Sequence, residues 1–340
     1  MRIVVAAGGT GGHIYPGLAT ADALRVLDPS VEITFVGTPR GLEQKLITRY
    51  PLQLVDMVPW RGGRYAPQFL LATARATAQV LRRVRANAVV AMGGYPSLPT
   101  VIGARMQRIP VVIHESGAIG GRANRLASRF TPNVALSFAS AAASFPNGKP
   151  RVTGMPLGDL TGEPTYRDRE RMVFVTGGSQ GSVTLNNLAV GLAQRWRGRE
   201  DVRILLKTGR DHVVEETDVL KPCTYFDTMG AVYASADVVV SRAGASSVAE
   251  FATCGLPSIL VPYPYSLDDD QGHNAKVLTD IGAAAMVRDP QATADVVGPM
   301  LEDWFEHPEA LAKMAASARG ASHADAAETL ARWVLDLASS

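Results

Sequence analysis

Apolar residues in this chain come in short, nearly continuous runs, most of them ending in a cluster of glycines and other small residues. In the first half the runs are 3–7, 31–36, 87–92, 110–113 and 134–138; in the second they are 172–176, 202–207, 236–240 and 257–262. Such runs predict strands covered on both faces, the pattern of a parallel sheet wrapped in helices. The first run leads into Gly8-Gly9-Thr10-Gly11-Gly12-His13, after which Pro16 is read as opening a helix to Leu27. The run 172–176 leads into Gly177-Gly178-Ser179-Gln180-Gly181-Ser182 and a helix from about 185. This echo predicts an α/β chain of two doubly wound halves. Between them, the Pro- and Gly-rich stretch 145–158 reads as a linker. From 296 onward the pattern is amphipathic helix.

A chain of 340 residues exceeds one comfortable core and agrees with two domains. Hydrophobic residues at 46% and charged residues at 19% exclude a disordered chain. Cys223 and Cys254 make neither a disulfide framework nor a metal-ligand spacing, so a reduced cytosolic setting is expected. The apolar start is too short for a signal peptide, and no run has the length of a membrane span.

The net charge of +2 hides an asymmetry. Residues 1–150 hold 17 Lys/Arg and 6 Asp/Glu, a balance of +11; residues 151–340 hold 17 and 26, a balance of −9. Within the basic half, 60–86 carries Arg61, Arg64, Arg75, Arg82, Arg83 and Arg85 and no acid, interleaved with apolar residues such as Phe69, and reads as helical from Pro67. A helix of that kind can lie on an anionic membrane, and equally it can be a packed helix with a solvated arginine face. Nucleic acid is a third option, but no recognised binding motif accompanies it.

Candidate chemistry lies where the predicted strands end, because ligands of open α/β sheets bind at carboxyl ends of strands. After 236–240 comes Ser241-Arg242-Ala243-Gly244-Ala245-Ser246-Ser247-Val248-Ala249-Glu250, a strand-to-helix turn. Small residues there let backbone N–H groups reach an anion, and Glu250 is placed to chelate a ribose diol. A plain capped turn with a solvated Glu is the alternative. His13 ends the first glycine turn, where an imidazole can act as a base near neutral pH. His114 reads as a buried strand-end histidine; Glu115 reads either as a helix-cap carboxylate or as a site residue. Asp268-Asp269-Asp270-Gln271 follows the last strand and offers hydrogen bonds to sugar hydroxyls without metal-ligand spacing.

Taken together, Gly8–His13, Met92-Gly93-Gly94-Tyr95, Pro110-Val111-Val112-Ile113-His114-Glu115, Gly177-Gly178-Ser179-Gln180-Gly181, Arg242–Glu250, and Gln271 with Asn274-Ala275 resemble the MurG family, in order and over nearly the whole chain. The resemblance implies a GT-B fold: two Rossmann-like domains facing a central cleft, 1–155 binding the acceptor and 156–340 the nucleotide sugar, the last helix having the option of packing back on the first. It implies an inverting glycosyltransferase that moves N-acetylglucosamine from UDP-GlcNAc to a hydroxyl acceptor, as in lipid II formation, without cofactor or metal. By position, Thr10, Gly11 and Gly12 would border the donor sugar and diphosphate, and Ser179, Gln180 and Gly181 would meet the diphosphate. Phe226 would pack its backbone and side chain on uracil. Arg242, Gly244, Ala245, Ser246, Ser247, Val248 and Glu250 would surround the nucleotide, and Gln271 and Asn274 would lie at the sugar. His13 and Glu115 would be the catalytic candidates. Tyr95, Arg61, Arg64, Phe69 and Arg75 would form the acceptor and membrane side of a cytoplasmic protein placed at the inner face of the plasma membrane.

Three positions depart from the family pattern. His114-Glu115-Ser116-Gly117 replaces His-Glu-Gln-Asn, Gly154-Met155-Pro156-Leu157-Gly158 replaces Gly-Asn-Pro-Val-Arg, and Asp268-Asp269-Asp270-Gln271 replaces Asp-Arg-Gln-Gln. A carboxamide and a guanidinium near the donor are thereby lost, each a source of strong or bidentate hydrogen bonds. A glycosyltransferase of specialised-metabolite biosynthesis is therefore the alternative function, followed by a UDP-GlcNAc 2-epimerase and a non-catalytic binding module.

Overall fold

The computed structural model describes residues 1–57, 67–210 and 212–340. The chain divides into two units, one made of Met1–Gly158 with His323–Ser340 and the other of Asp159–Ser322. Each is built on an all-parallel sheet.

The first unit contains β1 (Arg2–Ala6), β2 (Glu32–Gly37), β3 (Leu52–Leu54), β4 (Ala88–Ala91), β5 (Val111–Glu115), β6 (Asn133–Leu136) and β7 (Lys149–Val152). Their order in the sheet is β3-β2-β1-β4-β5-β6-β7. Alternate side chains of β1 enter different cores, which explains its unbroken apolar sequence: Ile3 and Val5 pack with Phe35 and Leu24, Val4 and Ala6 with Val89 and Leu98. The order reverses between β1 and β4, and the turns after those two strands carry Gly8–Gly9 and Gly93–Gly94.

The C-terminal helix Ala326–Ser339 lies on the helix Gly11–Leu27 and buries Leu330, Trp333 and Val334 in the first unit. Arg151 of β7 stacks on the Trp333 ring at 4.7 Å. The stretch expected to be a linker thus contains an edge strand. Pro150 is tolerated there because β7 pairs with one neighbour only, β6.

The second unit contains β8 (Arg171–Thr176), β9 (Val202–Lys207), β10 (Leu220–Cys223), β11 (Val238–Ser241), β12 (Ser258–Leu260) and β13 (Ala284–Met286), ordered β10-β9-β8-β11-β12-β13. Its reversal point lies between β8 and β11, the strands that precede Gly177–Ser182 and Arg242–Gly244. Val173, Val175, Leu185, Leu188, Ile204 and Leu206 fill the core on one side of the sheet. Phe174 points the other way, onto Phe226 and Tyr233.

The arginine-rich helix spans Pro67–Val84 and packs through Ala74, Thr77, Ala78 and Leu81. It approaches the helix Ser97–Met106 so closely that a Cβ on Gly103 would lie 2.8 Å from the Ala74 carbonyl. Phe69 is 62% exposed and Leu71 44% exposed on its outer side, with Arg75 also exposed. Arg61 and Arg64 lie outside the described residues.

Candidate functional site

In the first unit the helix expected to open at Pro16 begins at Gly11, with Thr10 as its N-cap residue. Gly11, Gly12 and His13 are therefore its first turn, whose N–H groups lack the regular i−4 partner; His13 N–H reaches the Thr10 carbonyl at 3.2 Å. Pro16 sits inside the helix, where Thr20 Oγ1 donates to its carbonyl at 2.8 Å. His13 lies against Gly93 and Gly94, whose φ values of +94° and +75° belong to the left-handed region. A Cβ on Gly93 would lie 2.7 Å from the ring. Tyr95 is half exposed and covers Gly9.

Burial holds the His13 pKa below its ordinary value of 6.5, opposed by a hydrogen bond to the Gly8 carbonyl. The imidazole is neutral at pH 7. A ring nitrogen that donates to that carbonyl leaves the other with its lone pair, the state a general base requires. Thr10 Oγ1 lies 3.3 Å from Nδ1.

Glu115, at the end of β5, is buried, and its carboxylate is taken up by its own loop. Oε1 accepts from Gly117 N–H at 2.9 Å; Oε2 accepts from Gly121 N–H at 2.9 Å and Asn124 Nδ2 at 3.0 Å. Burial raises its pKa against these bonds. Gly121 is the N-cap residue of the helix Arg122–Ala127, so Glu115 ties β5 to that helix start. His114 is fully buried, its pKa pushed down to about 4 by burial; Nε2 lies 3.3 Å from the Gly154 carbonyl and 3.2 Å from Ser137 Oγ.

In the second unit the helix expected from about 185 begins at Val183, because Ser182 is its N-cap and accepts from Leu185 N–H. The preceding turn packs backbone to backbone against Thr208–Gly209. A Cβ on Gly181 (φ +79°) would lie 2.3 Å from the Thr208 carbonyl, and one on Gly209 (φ +87°) 2.6 Å from the Gln180 carbonyl. Asn186 Nδ2 fastens the same Thr208 carbonyl at 3.1 Å. Ser179 and Gln180 are left exposed at the tip.

Beside this turn, the helix Ala245–Cys254 starts after Gly244 and ends at Gly255 in the left-handed conformation. Ser246 and Ser247 are half-buried in its first turn, whereas Val248 is fully buried and faces the core, so its side chain is withdrawn from any ligand. The guanidinium of Arg242 is committed to the protein: Ser182 Oγ at 2.8 Å, the Val261 carbonyl at 3.2 Å, an ion pair with Asp289, and the Tyr263 ring. Gln271 Oε1 accepts from Ala243 N–H at 3.2 Å and Tyr263 N–H at 2.9 Å, which leaves its NH2 as the end that can meet a sugar. Asn274 Nδ2 donates to the Ala243 carbonyl at 3.1 Å. These side chains act on the turn from behind.

Phe226 is 4% exposed, with its ring against Tyr166 and Phe174. The side chain expected on uracil belongs to the core, and only its backbone remains for a base. Glu250 Oε2 accepts a short hydrogen bond from Tyr233 Oη. Burial raises the Glu250 pKa, and the Tyr233 hydroxyl and the charge of Lys207 oppose the rise. Lys207, at the end of β9, is itself lowered by burial. Asp269, in the run after β12, pairs with Arg288 at 3.0 Å rather than standing free.

Sequence reasoning missed Glu43, Tyr233, Lys207 and Asn186. Lys207 alone carried a visible signal, as a charge at the end of an apolar run and two residues before a glycine.

Models of glycosyltransferase family 28 match most of the chain, the N-terminal domain over residues 3–136 and the C-terminal domain over 172–330. The UDP-N-acetylglucosamine–N-acetylmuramyl-(pentapeptide) pyrophosphoryl-undecaprenol N-acetylglucosamine transferase of Nocardioides sp. is 40% identical, covering 99% of this chain and 98% of that protein. The transferase of the same name from Anaeromyxobacter dehalogenans is 35% identical, covering 99% and 93%. Among solved structures, MurG of Acinetobacter baumannii matches with a TM-score of 0.79 at 27% identity, covering 98% of this chain and 99% of that one.

Proposed function

The chain belongs to glycosyltransferase family 28, among the MurG proteins, and from that premise we propose that it transfers N-acetylglucosamine from UDP-GlcNAc to the lipid-linked muramyl-pentapeptide, forming lipid II. What carries the reading is Glu250 in the second turn of the helix Ala245–Cys254 that follows β11: a carboxylate with one oxygen held by Tyr233, near that helix's uncapped N-terminus. A nucleoside diphosphate presents a diol and an anion, and these are the groups such a turn can hold.

The second unit binds the donor. Main-chain N–H groups of the turn before Val183 and of that helix start meet the diphosphate. They stabilise the charge that develops as UDP leaves. Gln271 offers its NH2 to the sugar. The first unit supplies the base: neutral His13 removes the proton from the acceptor hydroxyl as its oxygen attacks the anomeric carbon, with inversion. Glu115 acts in this reading by holding its loop, since its carboxylate is already engaged. No step is assigned to a metal or cofactor.

The outer side of the helix Pro67–Val84, with exposed Phe69 and Leu71 and the cation of Arg75, is read as the contact with an anionic membrane surface that brings the lipid-linked acceptor within reach. Among the described residues no helix is long and apolar enough to cross a membrane, and the reading places the protein on the cytoplasmic face.

A thermal-shift comparison of UDP, TDP and GDP sugars tests the donor assignment. Ligand-linked stabilisation follows mass action, so UDP-GlcNAc at a hundred times its Kd should add about 2.7 kcal/mol. TDP and GDP sugars should add little, and Glu250→Ala should remove most of the UDP effect. Equal shifts from all three nucleotides, or an undiminished shift in the variant, would sink the assignment.

A further inference from the structure

Glu43 is the first residue of the short helix Glu43–Leu46, on the crossover after β2, and its side chain is completely buried. Its Oε1 accepts from Gly9 N–H at 3.1 Å and from Thr38 N–H at 3.0 Å. Three glycines make room for it. A Cβ on Gly8 would lie 2.2 Å from Oε1, one on Gly41 2.0 Å from Oε2, and one on Gly37 2.7 Å from Cγ. Oε2 is buried and has no hydrogen-bond partner among the described residues. A buried carboxylate is costly, and one left half-satisfied in a cradle shaped to it calls for an explanation.

The peptide unit that Glu43 grips is the one His13 leans on. The N–H of Gly9 and the carbonyl of Gly8 belong to one amide plane. The N–H donates to Glu43, and the carbonyl is the hydrogen-bond partner of the His13 ring. The closeness is recorded at Gly94, where a Cβ would lie 2.3 Å from the Gly8 oxygen and 3.2 Å from His13 Nδ1. Hydrogen bonds in series polarise one another, and a carboxylate on the N–H side of an amide makes its carbonyl a stronger acceptor.

We propose that Glu43 is a positioning residue for His13, acting through the Gly8–Gly9 peptide as a carboxylate acts directly on a catalytic imidazole. It orients the ring, selects the tautomer with its proton toward Gly8, and sustains the basicity that burial would otherwise strip from the other nitrogen. The other groups facing the ring do not supply this. His114 on β5 is itself held neutral by burial, Thr10 offers a neutral hydroxyl, and Tyr95 and Tyr15 cover Gly9 and Gly11 beside it.

The inference rests on His13 as the base, and its test separates the two ideas. Glu43→Gln keeps shape and can keep both accepted bonds at its carbonyl oxygen, but removes the charge. The His13 imidazole is titrated by NMR in wild type and variant, alongside turnover against pH and UDP affinity. The expected result is a His13 pKa lower by about half a unit in the variant, the acid limb of kcat moving with it, kcat falling roughly tenfold and UDP affinity unchanged. In a His13→Ala background Glu43→Gln should cost nothing further. An unchanged His13 titration would overturn the proposal even if His13 is the base. Loss of turnover with an unmoved pH profile would reduce Glu43 to a structural brace and overturn it equally. If His13→Ala keeps wild-type turnover, the base assignment fails, while the NMR titration still decides whether Glu43 governs the imidazole. Should Glu43→Gln not fold, the wild-type Gly9 amide resonance serves: it is expected to titrate with the His13 midpoint, and its indifference would refute the coupling.

Discussion

The two glycine turns, Gly8–His13 and Gly177–Ser182, occupy equivalent places in their units. Each follows the strand at which the sheet order reverses and precedes a helix. Their support differs. The first rests on a carboxylate, Glu43, and carries an imidazole in its helix's first turn, with no side chain capping the helix. The second rests on another stretch of backbone, Thr208–Gly209, is capped by Ser182, and has the guanidinium of Arg242 fixed beside it. On the proposal above, a turn propped by a carboxylate tunes a titratable side chain. A turn propped by backbone, with a cation alongside, presents N–H groups to an anion. In the proposed function one local motif thereby serves two chemistries, proton transfer and diphosphate binding.

The difference makes distinct predictions for the two turns. The largest effect is expected from His13→Ala, which should lower kcat by roughly 10²–10⁴-fold while UDP affinity by calorimetry stays within a factor of about two. In the wild type, lowering the pH protonates the imidazole and removes the base. Since the His13 pKa lies below 6.5, the acid limb of kcat should fall below that value. A limb above 6.5, or full turnover in the variant, would detach the first turn from proton transfer.

A smaller effect of the opposite kind is expected from Gly181→Ala. Its φ of +79° and the 2.3 Å approach to the Thr208 carbonyl leave no place for a methyl group. The strain should cost about 1–2 kcal/mol of stability, read as a lower Tm. UDP affinity should fall about tenfold or more, with the pH profile of kcat unmoved. Wild-type UDP affinity in this variant would remove the second turn from diphosphate binding. The smallest effect is expected from a chelator. If main-chain N–H groups stabilise the leaving diphosphate, EDTA should leave turnover within experimental error, and a large loss restored by a divalent cation would show that a metal shares that charge.

Central strands were legible because each is apolar over most of its length: β1, β4, β5, β8, β9 and β11 all overlap runs visible in the sequence. The edge strands β3, β7, β10 and β13 were not. Leu52–Leu54 and Ala284–Met286 are three residues each, and Lys149–Val152 and Leu220–Cys223 carry lysine and proline, so only pairing with a neighbour makes them strands. The candidate site divides in a similar way. His13, the glycines and Glu250 were found because their residue types at strand ends imply chemistry by themselves. Phe226 was given a uracil-facing ring by its place in the family resemblance, and burial against Tyr166 and Phe174 decided otherwise.

From its sequence alone this chain determined two parallel α/β sheets, the strand ends that carry glycine turns, and the membership that its motifs announce. Those are local matters: run length, residue type and spacing act within a few residues and survive without knowledge of any partner. Tertiary structure decided which polar groups are already engaged. Arg242, Gln271, Glu115 and Glu43 are all charged or polar residues close to a glycine turn, and nothing in their types separates a ligand contact from a brace. The distinction is a count of filled donors and acceptors, and for Glu43 and Arg242 those are filled by residues tens of positions away, Gly9 and Ser182, that only the folded chain brings within hydrogen-bond distance.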